Sequence, residues 1–588
     1  MVILILDSGV YSQNLAIKEL GSFRGYSLEH NDKALHIHED FSDEHGHGTG
    51  IYHIIRKNCP SADIVVVKIF DNSLEITEDA LIAILTYIRD NEKVDIINLS
   101  LGINMCEKQK ELYCICNDIS ANGTIIVSAF DNNGAVSYPA AFDCVIGVDS
   151  AKLITKDQSY ANSSTGIVNM WTKGSLSRVA WRSPEYIMVG GTSFACAYAT
   201  AIIANQMIDG TFGVGVDGIR PYGISNSTAT TFVKSFDIRK AALFPFNKEM
   251  HSLVRFADIL DFDIEAVCDI RLSGRVGMSI RKILGNDVAD IRIQDVTTLA
   301  WDEIDTLILG HTHELSQLIN NKELRNDLIK KAVSRQIKIY SFDPIDVEGY
   351  PYIFYPRINL SNVPSNAGKL HQLSTPVLGV FGTSSQQGKF TLQLLLRKLL
   401  KERGYSVGQL GTEPSALLYG MDDVFPYGYN STAYVGNTEM IATLNDQMWR
   451  IAKKNYEIII VGAQSGTIPY ALFNLSHISV EQLSFLYGTC PDAVILAINP
   501  HDDVSYIKRT ITFIESTIDC KVIGASLFPV TLSDGYTGLL GAKKRLDYDK
   551  LRTLRGALSM ELNIPVYLLG EKDEMTELAD TVIDFFDE

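Results

Sequence analysis

Met1-Val-Ile-Leu-Ile-Leu-Asp7-Ser8-Gly9 opens the chain as an apolar run that ends on an acid and a glycine. Val2–Leu6 is too short for a helix and shows no polar alternation, so it reads as a strand buried on both faces. Strands of that kind belong to parallel sheets covered by helices. Working outward, Ala62–Phe70, Val94–Leu99, Thr124–Ala129 and Cys144–Val148 repeat the pattern. Helical periods lie between them at Thr77–Arg89 and Lys108–Ser120, and a helix of small residues is predicted over Ser193–Met207. Strand and helix alternate, so the fold class is α/β with a parallel sheet.

Three short stretches fall where a strand ends or a helix begins: Leu6-Asp7-Ser8-Gly9, His45-Gly46-His47-Gly48-Thr49-Gly50 and Gly190-Gly191-Thr192-Ser193-Phe194-Ala195. In an open parallel sheet the carboxyl ends of the strands converge on one crevice, where such loops meet. Acid, imidazole and hydroxyl are the parts of an acyl-transfer triad: a base must take the hydroxyl proton, and a carboxylate must orient the base. Ser193 at a helix N-terminus also has free N–H groups beside it to receive an oxyanion. His47 is the expected base because Gly-Thr follows it, and His45 is expected to be a solvated neighbour.

The order Asp…His…Ser with these flanks resembles the subtilases, the subtilisin-like serine peptidases, over about residues 1–210. Asp7-Ser-Gly, His47-Gly-Thr and Gly191-Thr-Ser193-Phe-Ala are similar to the family's three motifs. Ser128-Ala-Phe-Asp-Asn132-Asn-Gly134, followed by Tyr138-Pro-Ala, resembles the segment of the oxyanion-hole asparagine, which falls on Asn132. Asn98-Leu-Ser100-Leu101-Gly102 resembles the strand that pairs with substrate, which makes Ser100, Leu101 and Gly102 the expected substrate-binding residues. Two positions depart from the pattern. Asp131 stands where the family has glycine and puts a carboxylate beside the oxyanion site, and Ala197 replaces a proline. Asp7 lies six residues from the start, leaving no room ahead of it for the propeptide of secreted members. The expectation is a unit that folds unaided in the cytosol and cuts a restricted peptide.

Composition agrees. The 52 basic and 70 acidic residues give a net charge of −18, which offers no broad basic surface to nucleic acid. No run of about 18 apolar residues would span a membrane, and the start lacks the basic region of a signal peptide. Nine cysteines, with Cys114 and Cys116 as a lone CxC, fit free thiols in a cytoplasmic compartment better than a disulfide framework.

Domain organisation follows from breaks in the pattern. Residues 1–212 form the subtilisin-like parallel-sheet domain and 213–236 a Gly-, Pro- and Ser-rich linker. A Rossmann-like α/β domain is expected over 237–368, with strands at Lys240–Phe244, Ile264–Cys268, Thr306–Gly310 and Ile337–Phe342 and helices near Glu249–Leu260 and Leu315–Arg335. A P-loop NTPase-like α/β domain takes 369–588.

In the last domain, strand Pro376–Phe381 runs into Gly382-Thr-Ser-Ser-Gln-Gln-Gly388-Lys389-Phe390-Thr391 and then a helix. A glycine-rich turn between strand and helix offers N–H groups to phosphates, and a lysine reaches the terminal ones. The usual spacing is GxxxxGK[ST]. Here the first glycine sits one residue further out and the threonine one residue late, a spacing similar to dethiobiotin-synthetase-like P-loop proteins. Gly382, Thr383, Gly388, Lys389 and Thr391 are the expected contacts for ATP or another nucleotide with Mg2+. No acid follows strand Glu457–Val461, where related proteins often carry one at the position of Gly462, which leaves Glu413 as the candidate metal carboxylate. Asn499-Pro500-His501 borders the same region.

Ala241-Ala-Leu-Phe-Pro-Phe-Asn247-Lys-Glu-Met-His251 resembles an uncharacterised peptide-maturation family found with bacteriocin-like precursors, over about 238–588. His311-Thr-His313-Glu314 is a further candidate, for a metal or for helix capping. The resemblances together imply a cytoplasmic endopeptidase that removes a leader from a ribosomally made bacteriocin-like peptide, with a nucleotide-binding module. The alternatives are an ATP-dependent ligase or kinase type enzyme using the first domain to bind peptide, and a regulatory scaffold. The expected partner is a peptide or precursor protein.

Overall fold

The computed structural model describes residues 1–587 except 32–33, 71–73, 152–159, 162–166, 213–236, 286–287, 313–322, 346–349, 365–367, 429–430, 474–479 and 533–542. The expected linker, 213–236, thus lies outside the described residues, as do His313 and Glu314. The chain divides into two compact units, Met1–Ala229 with Pro364–His371, and Thr230–Val363 with Gln372–Glu588.

The first unit is built on nine strands: β1 (Val2–Asp7), β2 (Arg24–Asn31), β3 (Ala34–His38), β4 (Asp63–Lys68), β5 (Ile96–Leu99), β6 (Ile125–Ala129), β7 (Ile146–Ala151), β8 (Tyr160–Ala161) and β9 (Met170–Lys173). Their order is β3-β2-β4-β1-β5-β6-β7-β9-β8, parallel except for the β2–β3 and β8–β9 pairs. β1 pairs with β4 on one side and β5 on the other, so Asp7 ends a central strand. Apolar side chains alternate across this sheet: Ile3, Ile5 and Val127 enter one core while Leu4, Leu6 and Ile126 enter the other. That division is why the strands read as unbroken apolar runs.

The helix Thr192–Ile208 is buried along nearly its whole length against β5, β6, β7 and β9. Its alanines allow the close approach, and it continues unbroken through Ala197. The hairpin β10 (Ser177–Ala180) and β11 (Tyr186–Val189) completes the core. Residues around 368–371 add to this unit: the ammonium of buried Lys369 lies 2.7 Å from Asp149 and 5.1 Å from the Phe130 ring centre.

The second unit holds two parallel sheets. In the first, β12 (Lys240–Phe244), β13 (Asp263–Asp269), β14 (Gln294–Asp295), β15 (Thr306–Leu309), β16 (Lys338–Ser341) and β17 (Ile353–Phe354) lie in the order β14-β13-β12-β15-β16-β17, the 3-2-1-4-5-6 arrangement of a doubly wound sheet. The predicted helix Glu249–Leu260 forms as an α-helix over Lys248–Arg255 and a 3-10 turn over Ala257–Ile259, capped by the Asn247 side chain. In the second sheet, β18 (Val377–Gly382) is central, between β21 (Ile458–Gly462) and β22 (Ala493–Ile498). β19 (Val407–Gly411), β20 (Asp423–Val424), β23 (Lys521–Leu527) and β26 (Val566–Leu568) extend it outward, while β24 (Val530–Leu532) and β25 (Lys543–Arg545) form a separate hairpin. The helix after β18 begins at Lys389, because Gly388 in a left-handed conformation turns the chain directly into it.

Candidate functional site

Asp7 is fully buried at the end of β1. Its Oδ1 accepts the Ser8 N–H at 2.8 Å and His47 Nδ1–H at 2.8 Å. Its buried Oδ2 has no hydrogen-bond partner among the described residues. His47 is the first residue of the helix His47–Asn58, with a side chain 13% exposed. Burial works against a proton on its ring. The charge and hydrogen bond of Asp7, with the more distant Asp43, outweigh that and hold its pKa above the usual histidine range.

Asp43, which the sequence reading missed, fixes the start of the helix that carries this imidazole. Its buried carboxylate accepts the N–H groups of His45, Gly46 and Thr49 and the hydroxyls of Ser8 and Thr49, at 2.6 to 3.0 Å. Ser8 Oγ in turn accepts the Gly48 N–H at 2.9 Å. N–H groups at a helix start have no partner within the helix, and here a carboxylate and a hydroxyl supply them. The readable signal was an acid shortly before a helix start. Removing it strands several buried donors, each worth about 1–3 kcal/mol. Asp43→Ala is therefore expected to lower unfolding free energy by about 3 kcal/mol, and Asp43→Asn by less, measured by denaturant titration of the full chain.

Gly46 has a φ of 109°, and a Cβ there would stand 2.4 Å from the Trp181 ring. His45 is not the solvated neighbour expected. It is half-buried, 6.0 Å from the Trp181 ring, with Nδ1 buried and unpartnered among the described residues.

Ser193 lies in the first turn of the helix Thr192–Ile208, and the next residue, Phe194, packs 5.3 Å from the His47 ring. Its Oγ–H donates to the Ser100 carbonyl at 3.1 Å, and among the described residues no hydrogen bond joins it to His47. The structure thus brings Asp7 and His47 together, with Phe194 against the His47 ring and the Ser193 hydroxyl turned to the Ser100 carbonyl. Asn132 Oδ1 accepts the Thr192 N–H at 2.9 Å and the Thr192 hydroxyl at 3.1 Å, which leaves its Nδ2 donors for another partner. Gly191 has a φ of 127°, and a Cβ there would meet Asn132 Oδ1 at 2.7 Å. Only glycine allows this approach.

The Asp131 carboxylate is engaged within its own loop and by Asn104: it accepts the Asn133 N–H at 2.6 Å and Asn104 Nδ2–H at 3.2 Å. Ser100, Leu101 and Gly102 follow β5, and they are stitched to the Asn132 segment. Ser128 Oγ–H donates to the Leu101 carbonyl at 3.2 Å, and Ile103 and Tyr138 exchange two backbone bonds of 2.9 Å. A Cβ on Gly102 would stand 2.6 Å from Ser137 Oγ, which itself accepts the Asp131 N–H.

The second candidate site is the loop after β18. Lys389 is 7% exposed, and its Nζ donates to the carbonyls of Ser384 at 2.6 Å and Ser465 at 2.9 Å. Burial pulls its pKa down to about 7, helped by the charge of Lys248 and opposed by Glu413. The Gln387 side chain spans the loop, accepting the Ser384 N–H and donating to Thr383 Oγ, which is also bonded to Asp502. Gly382 is closely packed: a Cβ there would meet Gln387 Oε1 at 2.7 Å. Thr391 and Glu413 line a cavity of about 410 Å3 with Lys389, and Glu413 accepts Gln464 Nε2–H at 2.8 Å. Beyond Asp502, His501 lines a second cavity of about 430 Å3 with Thr383, Ser384 and Ser385. Among the described residues no three His, Cys, Asp or Glu side chains converge on one metal position. His311 Nδ1–H donates to Asp343 at 2.6 Å; burial opposes its proton, but that bond and the Asp343 charge raise its pKa, with smaller help from Glu249 and Glu413.

The subtilase family model matches residues 1–208. The model described as a domain of unknown function (DUF1611_C), P-loop domain, matches residues 365–535. No curated protein matches. Among solved structures, a DUF1611 family protein from Anabaena variabilis is 17% identical with a TM-score of 0.44, covering 59% of this chain and 100% of its own. A cold adapted subtilisin-like serine proteinase is 21% identical with a TM-score of 0.30, covering 35% of this chain and 75% of its own. No helix among the described residues is long and apolar enough to cross a membrane. The chain joins a subtilase-family domain at its N-terminus to the P-loop domain of a family of unknown function.

Proposed function

We propose that the protein is a serine endopeptidase acting in the cytoplasm on a restricted peptide, such as the leader of a ribosomally made bacteriocin-like precursor, with a nucleotide-binding module in its second unit. The observation that carries the reading is the 2.8 Å bond between buried Asp7 and His47, in the crevice where Ser193 opens a buried helix. The reading requires the Ser193 side chain to rotate away from the Ser100 carbonyl so that its hydroxyl meets the imidazole. Ser193 Oγ attacks the scissile carbonyl while His47 takes the proton, and Asp7 stabilises the imidazolium. Asn132 Nδ2 and the Ser193 N–H receive the oxyanion, where one such donor lowers the barrier by roughly 3 kcal/mol. The peptide chain pairs with Ser100–Gly102 as an added strand.

The residue before the scissile bond then directs its side chain into the gap between Gly102 and the Asn132 segment, which Ser137 and the Ile103–Tyr138 bonds draw together. Cleavage is expected after Gly, Ala or Ser, with bulkier residues at that position disfavoured at least tenfold, about 1.4 kcal/mol or more. A library of quenched peptides varied at one position reads this directly.

For the nucleotide, Lys389 and the loop N–H groups would hold phosphates. The oxygen donors Thr391 and Glu413 line the same cavity and suit Mg2+. The test of the whole reading is a serine-directed phosphonate on the full chain, followed by digestion of candidate precursor peptides read by mass spectrometry. Labelling at Ser193 and one defined cut support it, and a folded chain that neither labels nor cuts refutes it. The alternative, an ATP-dependent modifying enzyme with a peptide-binding first domain, draws on the Ser193 hydroxyl being bonded to Ser100 rather than to His47. It predicts maturation lost in Lys389→Ala and retained in Ser193→Ala.

A further inference from the structure

The cavity beside the phosphate loop is closed on its far side by the helix Lys248–Arg255. Lys248, His251, Ser252 and Arg255 recur at i, i+3, i+4 and i+7, so they share one face of that helix, and all four line the cavity. Met250, Leu253 and Val254 occupy the opposite face and enter the core. The helix therefore packs by its apolar side and turns a cationic side onto Lys389.

Lys248 and Arg255 are exposed and have no ion-pair partner among the described residues. Among the described residues Lys389 has only carbonyl partners. Two carboxylates, Glu249 and Glu413, also line the space, and Glu413 is engaged by Gln464. Lys248 and Arg255 thus bring two positive charges to the cavity, and Lys389 adds a third once an anion beside it restores its proton. Two residues that line the cavity also bury an unpartnered polar atom behind its surface. Gln393 is 2% exposed with Oε1 unpartnered, and His251 buries Nε2 unpartnered, both among the described residues. Desolvated groups of this kind cost free energy until something bonds them.

We infer that this cavity takes a ligand set with two separated anionic groups: a phosphate on the loop at Lys389, and a second anion held by Lys248 and Arg255. The inference rests on the phosphate-loop reading above and adds the second subsite to it. The second anion is either the terminal phosphate of the same nucleotide or the carboxylate of a co-substrate. Both offer oxygens to an ammonium and a guanidinium.

The test is calorimetric titration of the full chain and of the double variant Lys248→Gln, Arg255→Gln with ATP, with ADP, and with succinate after ADP. Both positions are exposed, so the variant is checked for an unchanged melting temperature. The variant is expected to bind ATP roughly 10- to 100-fold more weakly while keeping ADP, the loss of one or two charge-assisted contacts. That result assigns the second anion to the nucleotide. If ATP binding is kept and succinate binding is lost, the inference stands with a carboxylate. Equal loss of ATP and ADP, or wild-type affinity for all three probes, overturns it. A wild-type chain that binds neither nucleotide overturns the phosphate-loop reading itself, and this subsite with it.

Discussion

Ser193→Ala is expected to abolish peptide cleavage, with kcat falling on the order of 10^6-fold, since the proposed mechanism has this hydroxyl form the acyl-enzyme. The variant should fold normally. Ser193 is half-buried, and among the described residues its hydroxyl makes one hydrogen bond, to a backbone carbonyl. Adding His47→Ala should cost little more, because nucleophile and base act as one unit and their effects do not add. A quenched-fluorescence assay with an active-site label as control separates the possibilities. Retained cleavage in Ser193→Ala, or a double variant far worse than either single one, would mean that this serine is not the nucleophile.

Asp7→Asn should lower kcat on the order of 10^4-fold while keeping the shape of the site, because the amide holds the imidazole in the wrong tautomer and cannot stabilise its charge. The pH profile makes the test sharper. Burial pulls the proton off His47, and the Asp7 charge and hydrogen bond more than restore it, so the ring stays protonated above the usual value near 6.5. A general base works only when neutral, so the wild-type rate should rise with pH through a midpoint above about 6.5. With Asp7 neutralised, burial is less opposed and the midpoint should fall.

Stability runs the other way. A histidine whose pKa is raised by folding contributes fully below about 6.5, and that contribution is lost as pH rises through the folded value. The conditions that switch the base on therefore weaken the pair that orients it. An acid limb unmoved in Asp7→Asn would transfer the controlling charge to Asp43, the next acid acting on this ring.

Legibility was uneven along the chain, for local reasons. Val2–Leu6, Val94–Leu99 and Thr124–Ala129 became β1, β5 and β6 with little change, because strands covered on both faces admit few polar residues. The β2–β3 hairpin went unread. It is half exposed, and Arg24-Gly-Tyr-Ser-Leu-Glu-His-Asn31 carries no clear period. Asp43 escaped for a related reason: one acid among Glu39, Asp40 and Glu44 looks like solvated charge until the fold buries it. Arg255 was legible as a helix residue and Lys248 fell just ahead of the predicted start, but neither was legible as a wall of the cavity beside Lys389.

The order and chemistry of the short motifs are properties of the chain itself. Asp7, His47 and Ser193 had to sit at strand and helix ends, because the apolar runs around them allow no other register. Their partners were decided only in three dimensions. Whether Ser193 bonds an imidazole or a carbonyl, whether Asp131 faces the oxyanion or its own turn, and which helix covers Lys389 all depend on ångström-scale positions. Those positions are set by packing between segments tens or hundreds of residues apart, and hydrogen bonds and charge pairs change sharply over such distances, whereas apolar burial varies smoothly with area.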